Sequence, residues 1–588
     1  MRLPALAALP ALAVLAAESE WPVTLVDVAK EAGLVHPSIY GGVDRKRFII
    51  ETNGAGSAFL DYDNDGRLDA LVLSGTRLEE GARRDASWPA GSAPTTRLYR
   101  NRGEGRFADV TDAAGMRRTG WASSVCAGDY DNDGWIDLLV TYYGQNVLYR
   151  NERGRFVDVT QKAGLATRGV RWGSGCTFID YDRDGRLDLF VANYLVLDLE
   201  KASEPGQGAN CLWKGIPVNC GPKGLPTDVN LLFHNDGDGT FRDVSAASGI
   251  SKVTGRYSMT AAAADLDGDG WTDIYVACDS TAAILYRNNR DGTFTDVALT
   301  SGAGLSELGN EQAGMGLGVG DFDLDGVLDL FKTHFADDIP ALYRGLGQGR
   351  FEDVATAAGL GVQNRYVEWG AGTPDLDNDG WPDLFYATGN VYPEIEARLP
   401  AYPHRGPKVV FRNRGAGRFE DVSPLSGPGA TAPHSSRGVA FGDYDEDGDV
   451  DALVMNMNEP PSLLRNDYRG TNGWLLVRLV GTRSNRSAIG ATVVVQAGGR
   501  RQARVVLSQS SYYSHDDLRL HFGLGGAARA DVVEVRWPSG QVDTLRDVAA
   551  RRTVTIREAD PGAQEGGGPV VPRTTSSRGS TSRDGGEG

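Results

Sequence analysis

The sequence predicts an all-β protein: a seven-bladed β-propeller with calcium-binding loops, followed by a small β-sandwich-like domain. Three observations carry that reading. An acidic nine-residue phrase occurs seven times in the 588 residues, a strand–turn–strand phrase recurs between its copies, and the shortest repeat period, near fifty residues, suits four-stranded units. A parallel β-solenoid with acidic turns is the competing architecture, but its repeats are usually far shorter.

The acidic phrase first reads Asp61-Tyr62-Asp63-Asn64-Asp65-Gly66-Arg67-Leu68-Asp69, with Asp at positions one, three, five and nine and Gly at six. It begins again at Asp129, Asp180, Asp265, Asp321, Asp375 and Asp443. Carboxylates crowded this closely repel one another unless a cation takes up their charge. A hard dication with six to eight flexible oxygen ligands is Ca²⁺ rather than Mg²⁺. The expected side-chain ligands are Asp61, Asp63, Asp65 and Asp69, then Asp129, Asp131, Asp133 and Asp137, then Asp180, Asp182, Asp184 and Asp188. They continue with Asp265, Asp267, Asp269 and Asp273, with Asp321, Asp323, Asp325 and Asp329, with Asp375, Asp377, Asp379 and Asp383, and with Asp443, Asp445, Asp447 and Asp451. Position seven would add a carbonyl from Arg67, Trp135, Arg186, Trp271, Val327, Trp381 or Asp449. Position six needs Gly because the turn back toward the ion calls for a left-handed residue. Position four varies (Asn, Arg, Gly, Leu or Glu) and is read as being without consequence.

An EF-hand is excluded. Its loop closes with Glu at position twelve between two helices, whereas position twelve here is Val72, Val140, Val191, Val276, Lys332, Tyr386 or Val454, and the flanks are short apolar runs that read as strands. The formal charge of −18 belongs largely to the loops, since seven calcium ions would bring it to about −4. There is no basic footprint for nucleic acid.

Residues 1–17, one positive charge then an apolar stretch with a small-residue exit, read as a secretory signal, and nothing later approaches a membrane span. The protein is thus expected outside the cytoplasm, secreted or in a periplasm or cell-surface setting. In such an oxidising compartment Cys211 and Cys220 would pair. Zinc held by these two would need two further soft ligands, and the neighbourhood offers only His234. Cys126, Cys176 and Cys278 fall in strand-like runs and read as buried fillers.

The phrase Leu98-Tyr99-Arg100-Asn101 through Phe107-Ala108-Asp109-Val110 recurs from Leu148, Leu232, Leu285 and Leu342, more loosely at Val410, and supplies the third and fourth strands of each unit. The last unit stops after Leu463-Leu464-Arg465-Asn466, while Val23 to Gly33 forms an orphan fourth strand. The ring, residues 22–468, should therefore close by pairing the two chain ends, which removes open edges. The strand entering each acidic loop, rich in Gly, Ala and Ser, should lie nearest the axis.

Three long insertions, roughly 74–97, 194–230 and 387–408, fall between second and third strands and should crowd on the face opposite the acidic loops. Long loops on a rigid scaffold concentrate function. That face and the channel mouth form the candidate binding surface for a protein or glycan partner, with Trp121, Arg171, Trp172, Tyr257, Glu368, Trp369 and Arg437 as candidate contacts.

The acidic loops with their Phe-x-Asp-Val strands resemble the FG-GAP/VCBS repeats of integrin α-type propellers and their bacterial relatives. Trp474 to Ala491, Ser508-Gln509-Ser510-Ser511-Tyr512, His521-Phe522-Gly523-Leu524-Gly525 and Val535-Arg536-Trp537-Pro538-Ser539-Gly540 resemble the ASPIC/UnbV domain of the cartilage acidic protein-like family, as does the insertion around Cys211 and Cys220. The resemblance implies a calcium-dependent extracellular binding or scaffold protein. Read from the residues alone, 471–557 is a small all-β domain and 558–588 a disordered tail.

Non-catalytic binding leads the functional readings. The alternative is an extracytoplasmic hydrolase or lyase at the channel mouth, but the chain lacks a G-x-S-x-G elbow and an H-E-x-x-H motif. Ser510, Ser511, Tyr512 and His515 on alternating strand positions, expected to hydrogen-bond locally, and His434 with Arg437, are its only clusters. Adhesion through a partner's carboxylate on an exposed ion is disfavoured by five protein ligands per loop.

Overall fold

The computed structural model describes residues 21–89, 91–167 and 169–559. The expected signal and the chain beyond Ala559 lie outside the described residues. Each repeat folds as an antiparallel sheet whose four strands pair in chain order. In the first, Ser57–Leu60 pairs with Asp69–Val72, which pairs with Arg97–Asn101, which pairs with Phe107–Asp109. Among the described residues there are seven such four-stranded units, the second and third joined where Arg171 and Trp172 pair with Gly144 and Tyr143. The architecture is a β-propeller.

Closure uses both chain ends. Leu25–Asp27 pairs antiparallel with Ser462–Asn466, placing Leu25 opposite Asn466 and Asp27 opposite Leu464. The orphan segment is a strand for only these three residues. Its Asp27 carboxylate then accepts the Ala29 amide and starts one helical turn, Ala29–Ala32, which ends at left-handed Gly33. Ala298–Ser301 with Gly302 and Ala355–Ala358 with Gly359 repeat the device.

Inner strands meet around the axis through hydrogen bonds that run from unit to unit. Gly56 N donates to Ser123 O, Thr141 Oγ1 to Ser174 O, Ser174 Oγ to Ser258 O, and Gly314 N to Cys278 O. Thr333 Oγ1 to Trp369 O, Arg437 Nη1 to Gly389 O and Gly438 N to Ala55 O complete the circuit. Small residues are required because the backbones nearly touch: a Cβ on Gly316 would lie 2.1 Å from Trp369 O.

The C-terminal domain is a sandwich. A three-stranded sheet sets Gly473–Val480 between Leu520–Gly525 and Arg552–Arg557, the latter pairing in parallel. It faces a four-stranded sheet ordered Arg500–Val505, Thr492–Ala497, Arg529–Arg536, Val542–Ala549. Glu558, expected at the head of a disordered tail, is buried. Its carboxylate accepts the amides of Thr482, Arg483 and Ser484 and the hydroxyls of Ser484 and Ser539.

Sandwich and ring share one apolar core. Leu475, Val477, Val493, Val533, Phe522 and Trp537 belong to the same buried cluster as Cys126, Tyr130, Leu139, Phe178 and Leu189 of the second and third units. From the sandwich, residues 508–517 enter the ring and bond to inner strands of several units. Ser511 exchanges two backbone hydrogen bonds with Leu317, Tyr513 O accepts from Val125 N, and His515 is paired to Ser57 and Phe59. Gln509 Oε1 accepts from Cys176 N and Ala261 N while its amide donates to Ser124. Ser511, Tyr512, Tyr513 and His515 are buried within the ring; the expected local hydrogen bonds are present, Ser510 with Ser514 and His515 Nδ1 with Ser508 O, and the segment bonds to the ring as well.

Candidate metal centres and the binding face

Each acidic loop is wound tightly by its own amides. In the first, Asp61 accepts from Asp65 N and Gly66 N, Asp65 from Arg67 N, and Asp69 from Tyr62 N and Asn101 N. Position six is left-handed as expected, with φ of 92° at Gly66 and 94° at Gly134. Position four is left-handed too, in every loop: Asn64, Asn132, Arg183, Gly268, Leu324, Asn378 and Glu446. That position does have a consequence. Asn tolerates this conformation, and its side chain reaches the next loop: Asn64 Nδ2 donates to Gly134 O (2.9 Å), Asn132 Nδ2 to Gly185 O (3.1 Å) and Asn378 Nδ2 to Asp449 Oδ1 (2.7 Å).

The carboxylates converge. Asp61, Asp63 and Asp69 each offer an oxygen within 4.8 Å of the others, as do Asp129, Asp131 and Asp137, Asp180, Asp182 and Asp184, and Asp265, Asp267 and Asp269. Burial, reinforced by neighbouring carboxylates, pushes Asp69, Asp180 and Asp329 up to about 8 and Asp129, Asp321 and Asp443 up to about 7. Buried oxygens of Asp63, Asp182, Asp321, Asp323, Asp443 and Asp445 have no hydrogen-bond partner. Carboxylates that are buried, mutually repelling and partly unsatisfied, with oxygen as nearly the whole donor set, suit a hard divalent cation.

Two further residues serve the loop in several of the units. In the first two units the Arg of the Leu-Tyr-Arg-Asn strand pairs with positions three and five: Arg100 with Asp63 (2.6 Å) and Asp65 (3.1 Å), Arg150 with Asp131 (2.8 Å) and Asp133 (3.4 Å), whereas Arg344 pairs with Glu352 and Arg465 with Asp467. The following Asn donates to the position-two carbonyl of the preceding loop. Asn151 reaches Tyr62 O, Asn235 Tyr130 O, Asn288 Tyr181 O, Asn413 Phe322 O and Asn466 Leu376 O, and Asn101 closes the ring at Tyr444 O. The recurrence of Arg-Asn was visible in the sequence, but its partners were not.

The sandwich covers this face. Ser487 Oγ accepts from Asp129 N, Arg486 N donates to Asn132 Oδ1, Arg183 Nε to Pro538 O, Ala503 N to Asp321 Oδ2, Gly525 N to Asn378 O, and His521 Nε2 lies 3.0 Å from Gly448 O.

On the opposite face the insertions meet one another and the loops beside them. Arg83 of the first bonds to Ala202 O (2.8 Å) and Glu204 (3.1 Å) of the second. Trp213 of the second packs edge-on against Tyr402 of the third at 5.0 Å, beside Phe335. Cys211 and Cys220 are disulfide-bonded, and Cys126, Cys176 and Cys278 are free and buried. A groove of about 200 Å³ runs between Phe48, Leu197, Lys223, Leu225 and the disulfide.

Six of the seven candidate contacts do not present themselves there. Trp121, Trp172, Tyr257, Glu368, Trp369 and Arg437 are buried around the inner ring, engaged with protein groups. Trp121 Nε1 donates to Asp85, Trp172 Nε1 to Ser123 Oγ, Tyr257 OH to Leu225 O, and Trp369 Nε1 to Gly389 O, while Glu368 accepts from His334 N. Arg437, fully buried, donates twice to Thr52 O and lies 4.0 Å over Trp369. Burial lowers its guanidinium to about 9. Arg171 is partly exposed but paired with Asp228. The physical reason is position: residues just before an inner strand face the crowded hub. His434 pairs with Glu459 (2.5 Å), away from Arg437's partners.

The FG-GAP-like repeat model matches residues 83–140, 129–191, 224–276, 265–331 and 375–454. The chain belongs to the FG-GAP-like repeat family. The ASPIC and UnbV model matches residues 481–563, which takes in the segment that enters the ring and the sandwich apart from its first strand, Gly473–Val480. The chain is homologous to cartilage acidic protein 1, at 26% identity over 464 residues to the Homo sapiens protein (75% of this chain, 63% of that one) and 25% over 531 residues to the Mus musculus protein (86% and 73%). It spans less than two thirds of the human relative's length. Among solved structures it is similar to an Agrocybe aegerita lectin that recognises non-reducing terminal N-acetylglucosamine, at TM-score 0.33 and 16% identity, covering 64% of this chain and 84% of that one. Among the described residues no helix is long and apolar enough to cross a membrane.

Proposed function

We propose that this FG-GAP-like protein is a secreted, calcium-stabilised propeller that binds a protein or glycan partner through its insertion face and performs no catalysis. The observation that carries the metal is the set of buried, unpartnered carboxylate oxygens gathered in the acidic loops. Four Asp side chains and the position-seven carbonyl would hold each ion, whose charge cancels repulsion that the loop amides only partly offset. The paired Cys211 and Cys220 and the apolar N-terminal stretch support export.

With the inner ring filled from one side by residues 508–517, the meeting of three long insertions is the surface left for recognition. A hydrolase or lyase at the channel mouth is disfavoured by the same filling. Two measurements test the reading. Chelation should lower the melting temperature and millimolar calcium restore it, and a melting curve indifferent to both would remove calcium from the account. Glycan-array and pull-down binding should weaken on deleting at least one of 74–97, 194–230 and 387–408, and three deletants that bind like the parent would remove the insertion face.

A further inference from the structure

We infer that the third acidic loop is a different kind of centre from the other six, a site for a divalent transition metal of the zinc class with His234 as a nitrogen ligand. The inference deepens the metal reading and concerns this one loop. In six units the residue before the Asn, or before Gly345, of the third strand is Arg: Arg100, Arg150, Arg287, Arg344, Arg412 and Arg465. In the third unit it is His234.

The exchange changes more than charge. Arg100 and Arg150 grip the carboxylates of positions three and five. His234 instead directs Nδ1 at positions three and nine, 3.4 Å from Asp182 Oδ2 and 3.2 Å from Asp188 Oδ1. Those three side chains offer ligand atoms within 4.8 Å of one another. The Nδ1 atom is buried yet makes no hydrogen bond, and neither does Asp182 Oδ1. Asp188 is fully buried. On the far side of the ring, Nε2 faces Asp236 Oδ1 at 3.8 Å, and Tyr181 packs edge-on against the imidazole.

Ligand chemistry then sorts the ions. Calcium takes oxygen donors, whereas imidazole suits zinc and its neighbours. A tetrahedral ion with bonds of 2.0–2.1 Å sets its ligand atoms roughly 3.3–3.4 Å apart, which the His234 distances already approach.

The test uses the full, tag-free chain, stripped with chelator, equilibrated with millimolar calcium and micromolar zinc, desalted and assayed for metal by mass spectrometry. The parent should retain about one zinc per chain against excess calcium. His234→Arg, which restores the residue of the other units, should lower that zinc at least tenfold and leave the other ions in place. Cobalt substitution of the parent should give visible absorption of a mixed nitrogen and oxygen site, and this arm holds even where the variant folds poorly. No retained zinc, zinc unaltered by His234→Arg, or a cobalt spectrum of oxygen ligands alone would each overturn the assignment. A chain that keeps zinc but no calcium would sink the calcium reading and leave this one standing.

Discussion

Asn101 shows how one side chain can hold the ring shut. Its Nδ2 donates to Leu68 O within its own unit and to Tyr444 O in the last, and its amide meets Asp69. Asn101→Ala should cost about 1–3 kcal/mol, because two buried carbonyls lose a donor and water cannot replace it. Urea unfolding is the measurement, and an unchanged midpoint would mean that the seam does not rest on this residue. The acidic clusters themselves were legible from spacing alone, since carboxylates at fixed intervals admit few chemical explanations. The Arg and Asn that attend them were equally visible as letters. Their roles were not, because each acts on a loop distant in sequence, and spacing carries no information about such partners.

At the scale of the element, residues 508–517 were the least legible part of the chain. Alternation predicts strands where one face is buried and the other wet, but residues 508–515 of this segment are buried without a break and bond to several different strands, so their small polar side chains follow no period. The four strands of each unit, with one wet edge and a regular turn, were readable almost throughout. The inner-strand glycines read as taper, and one of them also makes room for the inserted segment. A Cβ on Gly56 would stand 1.8 Å from Tyr513 O, a backbone atom with nowhere to retreat. Gly56→Ala should therefore lower stability by about 1–3 kcal/mol or more and raise amide hydrogen exchange across 508–517 while leaving the insertions unaffected. Unaltered exchange there would show that the segment does not depend on this close approach.

For the whole molecule, ring and sandwich share one buried apolar cluster, although the sequence suggested two domains in series. The apolar cluster linking Leu475, Val493 and Phe522 to Tyr130 and Phe178 would lie open if the chain ended at residue 468. A 1–468 truncation should aggregate or elute as a broad species in size-exclusion chromatography. A monodisperse, cooperatively melting truncation would show that the ring stands alone. The boundary between the two was readable because the repeat stops after Asn466, but their union was not, because the sandwich buries ordinary Leu, Val and Phe that would look the same facing its own second sheet. The pairing of Leu25–Asp27 with Ser462–Asn466 has a further consequence during synthesis. A ribosome adding roughly 5–20 residues per second needs on the order of 20–90 s to deliver the second partner after the first. Through that interval the nascent toroid keeps two raw margins, and whatever shields them in the cell governs how much of the product matures.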